Sequence, residues 1–340
     1  MQQALYGAEG FFTAGAGPAA HFRTSAHVGP AFAAALVELI HQVDAALRHP
    51  PRFDVVEIGA GRGELLTSIQ RMLSAGGRHD LSRRAVLTAV ELAPPPPDLD
   101  PSIAWTAVPP NDIVGIALAN EWLDNVPLDV FEVAAEGVRI VEVDESTGTG
   151  SLGPLADAAT QHWLGQWWPP ADAALGDRAE CGVTRDLAWA DLIHHLDRGF
   201  AVAIDYGHIR SQRAGGAFAG GTLAAYRNGR RVPPVPDGSC DLTAHVAMDS
   251  CAAAGARAGA TDTRLVTQRE TLQSLGVSGG RPPLALADES PSGYLAALSA
   301  ASDAAELLDP AGLGSFLWLV QAKGVAMPEP LRSAVGVALD

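Results

Sequence analysis

Residues 53–66 read Phe-Asp-Val-Val-Glu-Ile-Gly-Ala-Gly-Arg-Gly-Glu-Leu-Leu, a short β-rich run that passes through Gly59, Gly61 and Gly63 into a segment with helical spacing. Strand, tight turn and helix in that order open a crossover unit. A crossover unit commits a chain to a mainly parallel sheet with helices on its faces. The glycines leave bare backbone where a ligand can approach, since a Cβ there would stand in its way. A glycine turn can also be purely structural, so the run alone names no ligand.

The alternation continues along the chain. Phe32, Leu36, Leu39, Ile40, Val43 and Leu47 mark a helix that Pro50-Pro51 ends. Strands are expected over residues 85–90, ending at Glu91, and 112–119, ending at Asn120-Glu121. A further strand over 200–204 ends at Asp205-Tyr206-Gly207-His208, and residues 263–268 and 316–321 read as the last two, separated by a helix over 294–308. Ligands in such sheets lie beyond the carboxyl ends of the strands, where these polar tags fall. The reading is a doubly wound, mainly parallel α/β fold in four parts. Residues 1–50 are an N-terminal helical segment covering the site, and 51–137 the first half of the sheet domain. The strand rhythm then lapses over 138–195 into sequence containing Trp163, Trp167 and Trp168, expected to be an inserted helical lid. Residues 196–340 complete the domain and include a long loop over 210–241.

Composition excludes several function classes. The 340 residues include 23 basic and 39 acidic side chains, a net charge of −16, the wrong sign for tracking a phosphate backbone. Cys181, Cys240 and Cys251 fit neither a disulfide framework nor a zinc pattern, so reduced thiols and no metal are expected. The first residues lack a basic region followed by an apolar core, and no apolar stretch reaches the roughly 20 residues that span a bilayer. These features predict a cytoplasmic protein without membrane insertion, and they leave a homodimer open.

The loop favours S-adenosylmethionine over a dinucleotide. A dinucleotide fingerprint places its third glycine three residues after the second, where this chain has Glu64. A carboxylate at that helix start would repel a pyrophosphate, whereas S-adenosylmethionine has no phosphate and carries a sulfonium cation. Glu57, just before the turn, agrees with this. Glu91, 28 residues after Gly63, is placed to accept hydrogen bonds from ribose hydroxyls. After the next strand, Asn120 is expected to contact the cofactor, while Glu121 and Asp124 match the planar fork of a guanidinium. Asp124 as a helix cap is the plainer alternative. His208 is a candidate for proton removal.

Taken together, Val55 to Leu66, Ala119 to Pro127 and Ile204 to His208 resemble the MidA family of class I methyltransferases, which includes the mitochondrial complex I assembly methyltransferase. Gly10-Phe11-Phe12-Thr13, Phe22-Arg23-Thr24-Ser25, Gly221 to Arg227 and Asp241 to Val246 agree, so the likeness spans about residues 6 to 276. The resemblance implies a seven-stranded class I methyltransferase sheet with an inserted helical region, S-adenosylmethionine as cofactor, and methyl transfer to an arginine of a protein partner. It also implies a cofactor site of Glu57, Gly59, Ala60, Gly61, Gly63, Glu91 and Asn120, with Thr24 in a segment that closes over it. Ala26, His27 and Asn228 depart from the family pattern. A small-molecule acceptor, or a non-catalytic assembly factor retaining the fold, therefore stays open beside the protein acceptor.

Overall fold

The computed structural model describes residues 1–14, 24–75, 79–169, 173–333 and 336–338. Phe22 and Arg23 of the N-terminal motif lie outside the described residues. The central sheet contains β1 (Phe53–Ile58), β2 (Ala85–Val90), β3 (Ile103–Thr106) and β4 (Ile113–Asn120). A second sheet takes β5 (Asp129–Ala134), β6 (Gly137–Val143), β7 (Gly150–Leu155) and β8 (Arg178–Cys181). The chain returns to the central sheet with β9 (Leu196–Asp205). It then makes five short strands: β10 (Gly207–His208), β11 (Ala224–Arg227), β12 (Arg230–Val232), β13 (Asp241–Thr243) and β14 (Val246–Ala247). Finally β15 (Asp262–Thr267) and β16 (Leu317–Lys323) close the central sheet at its other edge.

The seven central strands lie in the order β15-β16-β9-β4-β1-β2-β3. Neighbours from β9 to β3 are parallel, and β16 runs antiparallel between β15 and β9. This is the doubly wound class I methyltransferase sheet that the sequence predicts. Helices cover both faces, so every residue of β1 is buried, the carboxyls of Asp54 and Glu57 among four apolar side chains. On one face, Pro30–Ala46 and Glu64–Ala75 contribute Phe32, Leu36, Leu39, Leu66 and Ile69 to a core with Trp318. On the other, Val183–His195 and Met248–Arg257 bring Trp189, Ile193 and Met248 against Val56, Ala117 and Leu319.

Residues 138–195 contain the helices Ala158–Trp167 and Val183–His195. They also contribute β6, β7 and β8 to the antiparallel sheet β7-β6-β5-β8, which the lapse in strand rhythm hid. β5, β6 and β7 are mostly exposed or half-buried, so they lack the buried runs of the central sheet. Trp163, Trp167 and Trp168 pack this sheet with Phe131 and Ala179. Within 210–241 the chain forms a short helix and the strands β11 and β12, and β11 pairs with both β12 and β13. The N-terminal helix Gln2–Tyr6 and Phe11 pack on that small sheet at Ala225, Cys240 and Leu242. Among the described residues no helix is long and apolar enough to cross a membrane. All three cysteines are free and buried.

Candidate active site

Parallel pairing of β1 with β2 and β4 brings the carboxyl ends of these strands to one edge, above which lies a cavity of about 710 Å³. Thr24, Glu57, Gly59, Ala60, Gly61, Glu91, Asn120, Glu121 and Asp124 all line it. Gly59, Gly61 and Gly63 have φ of +67°, +58° and +76°, backbone that side chains with a Cβ rarely adopt. The three differ in what they face. A Cβ on Gly61 would meet nothing within 4 Å, so it would stand in the open cavity. One on Gly63 would lie 3.1 Å from Leu99 Cδ1, and Gly63 is not part of the cavity wall.

Glu57 is buried, and its Oε2 has no hydrogen-bond partner among the described residues. Burial, reinforced by Glu64 and Glu91, pushes its carboxyl up to about 8. Glu91 accepts from Gly61 N at 3.0 Å through Oε2 and from Leu92 N at 2.7 Å through Oε1, tying the second strand end to the glycine loop. Glu64 opens the following helix at the cavity wall, where it accepts from Arg62 N at 3.2 Å and lies 3.9 Å from His27 Nε2. Thr24 bonds His27 Nδ1 at 2.8 Å within the same covering segment.

Carboxyls crowd the other end of the cavity. The pairing of β4 with β9 sets Asn120 beside Ile204, so the tags after the two strands meet. Glu121 holds φ +49°, its N–H donates to Ile204 O at 2.8 Å, and its Oε1 accepts from Ser25 N at 3.0 Å. Burial pushes Glu121 up to about 7, against the bond from Ser25. Asn120 Nδ2 lies 3.4 Å from Glu121 Oε1, and Asn120 Oδ1 is buried without a partner among the described residues. Asp124 accepts from the hydroxyls of Tyr206 and Thr243 through Oδ2, and Asp205 accepts from Asp124 N at 3.1 Å. Burial raises both carboxyls, and the Asp124 charge raises Asp205 further.

His208 is not brought to this site. It is buried behind Tyr206, 5.1 Å from the Trp168 ring and 4.6 Å from Phe218, with Nδ1 2.8 Å from Arg213 Nη1. Burial and the adjacent guanidinium hold it far below its ordinary range, in a polar knot that Arg213 and Asp249 complete. The histidine that does line the cavity is His245. Tyr6, Tyr206, Tyr226, Asp241 and Phe316 also line it; the sequence places Tyr206, Tyr226 and Asp241 in motif segments but assigns none of the five a role. Tyr206 carried a usable signal, since it directly follows the end of a strand. Tyr6 carried none, because only tertiary packing brings its hydroxyl to Asn125 O, at 3.3 Å.

Residues 31–266 match the family model described as "Putative S-adenosyl-L-methionine-dependent methyltransferase". No curated protein matches the chain. A COG1565 superfamily protein from Burkholderia thailandensis, crystallised with S-adenosyl-homocysteine, superposes with a TM-score of 0.80 at 24% identity, covering 99% of this chain and 90% of that one. A native crystal structure of a COG1565 superfamily protein from the same organism gives 0.79 at 25% identity, over 98% and 88% of the two chains. The chain belongs to the S-adenosylmethionine-dependent methyltransferase family of that model, the MidA or COG1565 group that its motifs resemble.

Proposed function

We propose that this methyltransferase acts on a cationic nitrogen, the guanidinium of an arginine in a protein partner. One observation carries the reading. Glu121, Asp124 and Asp241 line the acceptor end of the cavity among the rings of Tyr6, Tyr206 and Tyr226, with Asp205 buried behind. Burial pushes Asp241 up to about 8, and Glu121, Asp124 and Asp241 form no ion pair among the described residues. The buried guanidinium beside them, Arg185, donates instead to the backbone carbonyls of Asp124, Val126, Ala244 and His245. An acceptor cation would supply the missing charge, and aromatic faces favour cations.

The residues at the other end fit the cofactor. Open space over Gly61 accommodates the nucleoside part, and the unpartnered Oε2 of Glu57 suits the ammonium of its amino-acid part. Glu91 offers its carboxylate to ribose hydroxyls, and Asn120 Oδ1 is a further free acceptor. When bound, S-adenosylmethionine supplies a methyl group already activated by its sulfonium. What the chain adds is position and charge: Glu121 and Asp124 hold the acceptor nitrogen at the junction of the two ends, and Thr24 with Ser25 closes over Glu121. To test the reading, purified protein is incubated with cell lysate and methyl-labelled cofactor. Label on methylarginine after hydrolysis of a protein band is the expected result. Label in an extractable small product would replace the acceptor, and no label would remove the activity.

A further inference from the structure

A methylated nitrogen must lose a proton, and His208 is walled off from the cavity. We propose that His245 accepts that proton, an assignment that rests on the function proposed above. His245 lines the cavity with its ring 5.2 Å from that of Tyr206 at 68°. Both of its backbone groups are anchored: N–H donates to Thr222 Oγ1 at 2.8 Å, and the carbonyl accepts from Arg185 Nη1 at 2.8 Å. No described hydrogen bond commits the imidazole to another group, and its Nδ1 has no partner among the described residues.

The groups around it explain why a base can exist here. Tyr206, whose hydroxyl donates to Asp124, faces the ring from the end of β9, and Phe218 lies 5.8 Å away. His208 is 6.2 Å distant, and Arg185 approaches from the helix Val183–His195. Burial, aided by the Arg185 charge, holds the imidazole below its ordinary range, so its lone pair is available at neutral pH. The carboxyls are committed elsewhere. Asp124 Oδ2 already receives two hydroxyl hydrogens, and the charge of Asp124 and Glu121 is needed opposite the cation. In the step itself the lone pair on the acceptor nitrogen forms the N–C bond as the C–S bond breaks, its electron pair staying on sulfur. The N–H bond gives its electrons to nitrogen and its proton to the His245 imidazole. Charge is conserved, sulfonium becoming thioether as neutral imidazole becomes imidazolium.

The test uses the full chain, with the lysate protein fraction that takes up label from the parent as acceptor. His245→Asn and His245→Gln are first checked by calorimetry for parental binding of S-adenosylhomocysteine. Transfer should then fall by about 10²-fold or more in kcat with KM little changed, and added imidazole should restore part of it. The parental rate should rise with pH to a break that both variants lack. That break should coincide with the His245 titration seen by imidazole NMR of the parent with S-adenosylhomocysteine bound, a measurement that needs no variant. Parental rates in the variants, an unmoved break, or an imidazole still protonated at pH 7 would each overturn the assignment. If the parent itself transfers no label, the proposed function falls and this assignment with it; transfer by parent and variants alike removes only His245.

Discussion

Gly61 and Glu121 serve the two ends of the cavity by different physics. A side chain at Gly61 meets both a backbone of positive φ and the open space of the cavity, where the proposed cofactor would lie. Gly61→Val should therefore weaken S-adenosylhomocysteine binding about 100-fold or more, while circular dichroism stays parental apart from the roughly 1–2 kcal/mol cost of a left-handed branched residue. Parental binding in calorimetry would make the loop structural only. Glu121 carries backbone strain of the same kind, φ +49° in a residue with a Cβ, and such strain persists only where surrounding contacts enforce it. The bonds to Ile204 O and from Ser25 N are those contacts. Glu121→Gln keeps an oxygen for Ser25 but removes the charge, so cofactor binding should hold while turnover falls by about 10²-fold. Unchanged turnover on an identified acceptor would point to a neutral substrate.

At the scale of elements, the acceptor end is assembled from segments that no local pattern links. The helix Val183–His195 supplies Arg185, which is 1% exposed and pins the segments at 124–126 and 244–245 to each other. Arg185→Met removes every one of those donors and leaves two buried and two part-buried carbonyls without them. An unsatisfied buried polar group costs about 1–3 kcal/mol, so the loss should reach about 3 kcal/mol or more, read as a lowered midpoint in urea unfolding. A midpoint within error of the parent would show that the carbonyls find other donors. The same variant removes a charge that lowers His245, so the pH break assigned to that histidine should move upward.

Across the whole molecule, burial has raised a group of carboxyls together: Glu57 and Asp241 to about 8, Glu121 to about 7, with Asp124 and Asp205 in the same direction. A folded-state value above the unfolded one gives stability that is complete below the unfolded value, near 4, and is lost as pH rises through the folded one. The free protein should accordingly melt lower at pH 8.5 than at pH 5.5, by at least a few °C. The carboxyls held low, such as Asp44 beside Arg84 and His49, act in the opposite sense, but their contribution is already complete at pH 5.5. A net charge of −16 adds self-repulsion in the same direction as the trend. A melting temperature flat over that range in calorimetric scans would mean that these carboxyls reach water.

The sequence by itself determined the central sheet and the residues that reach its carboxyl edge, because both are written in local order. Buried parallel strands leave mostly apolar runs, a glycine turn follows the first of them, and the residue after each strand lands at the same edge. Glu57, Gly61, Glu91 and Asn120 were legible for that reason. Tertiary structure alone decided the rest. The strands β5, β6 and β7 are mostly exposed or half-buried, so no buried apolar run announces them. His208 and His245 look alike as residues near strand ends. Only packing seals the first behind Trp168 and Phe218 and turns the second to the cavity, because burial depends on which distant segments arrive, here residues 168, 206 and 218.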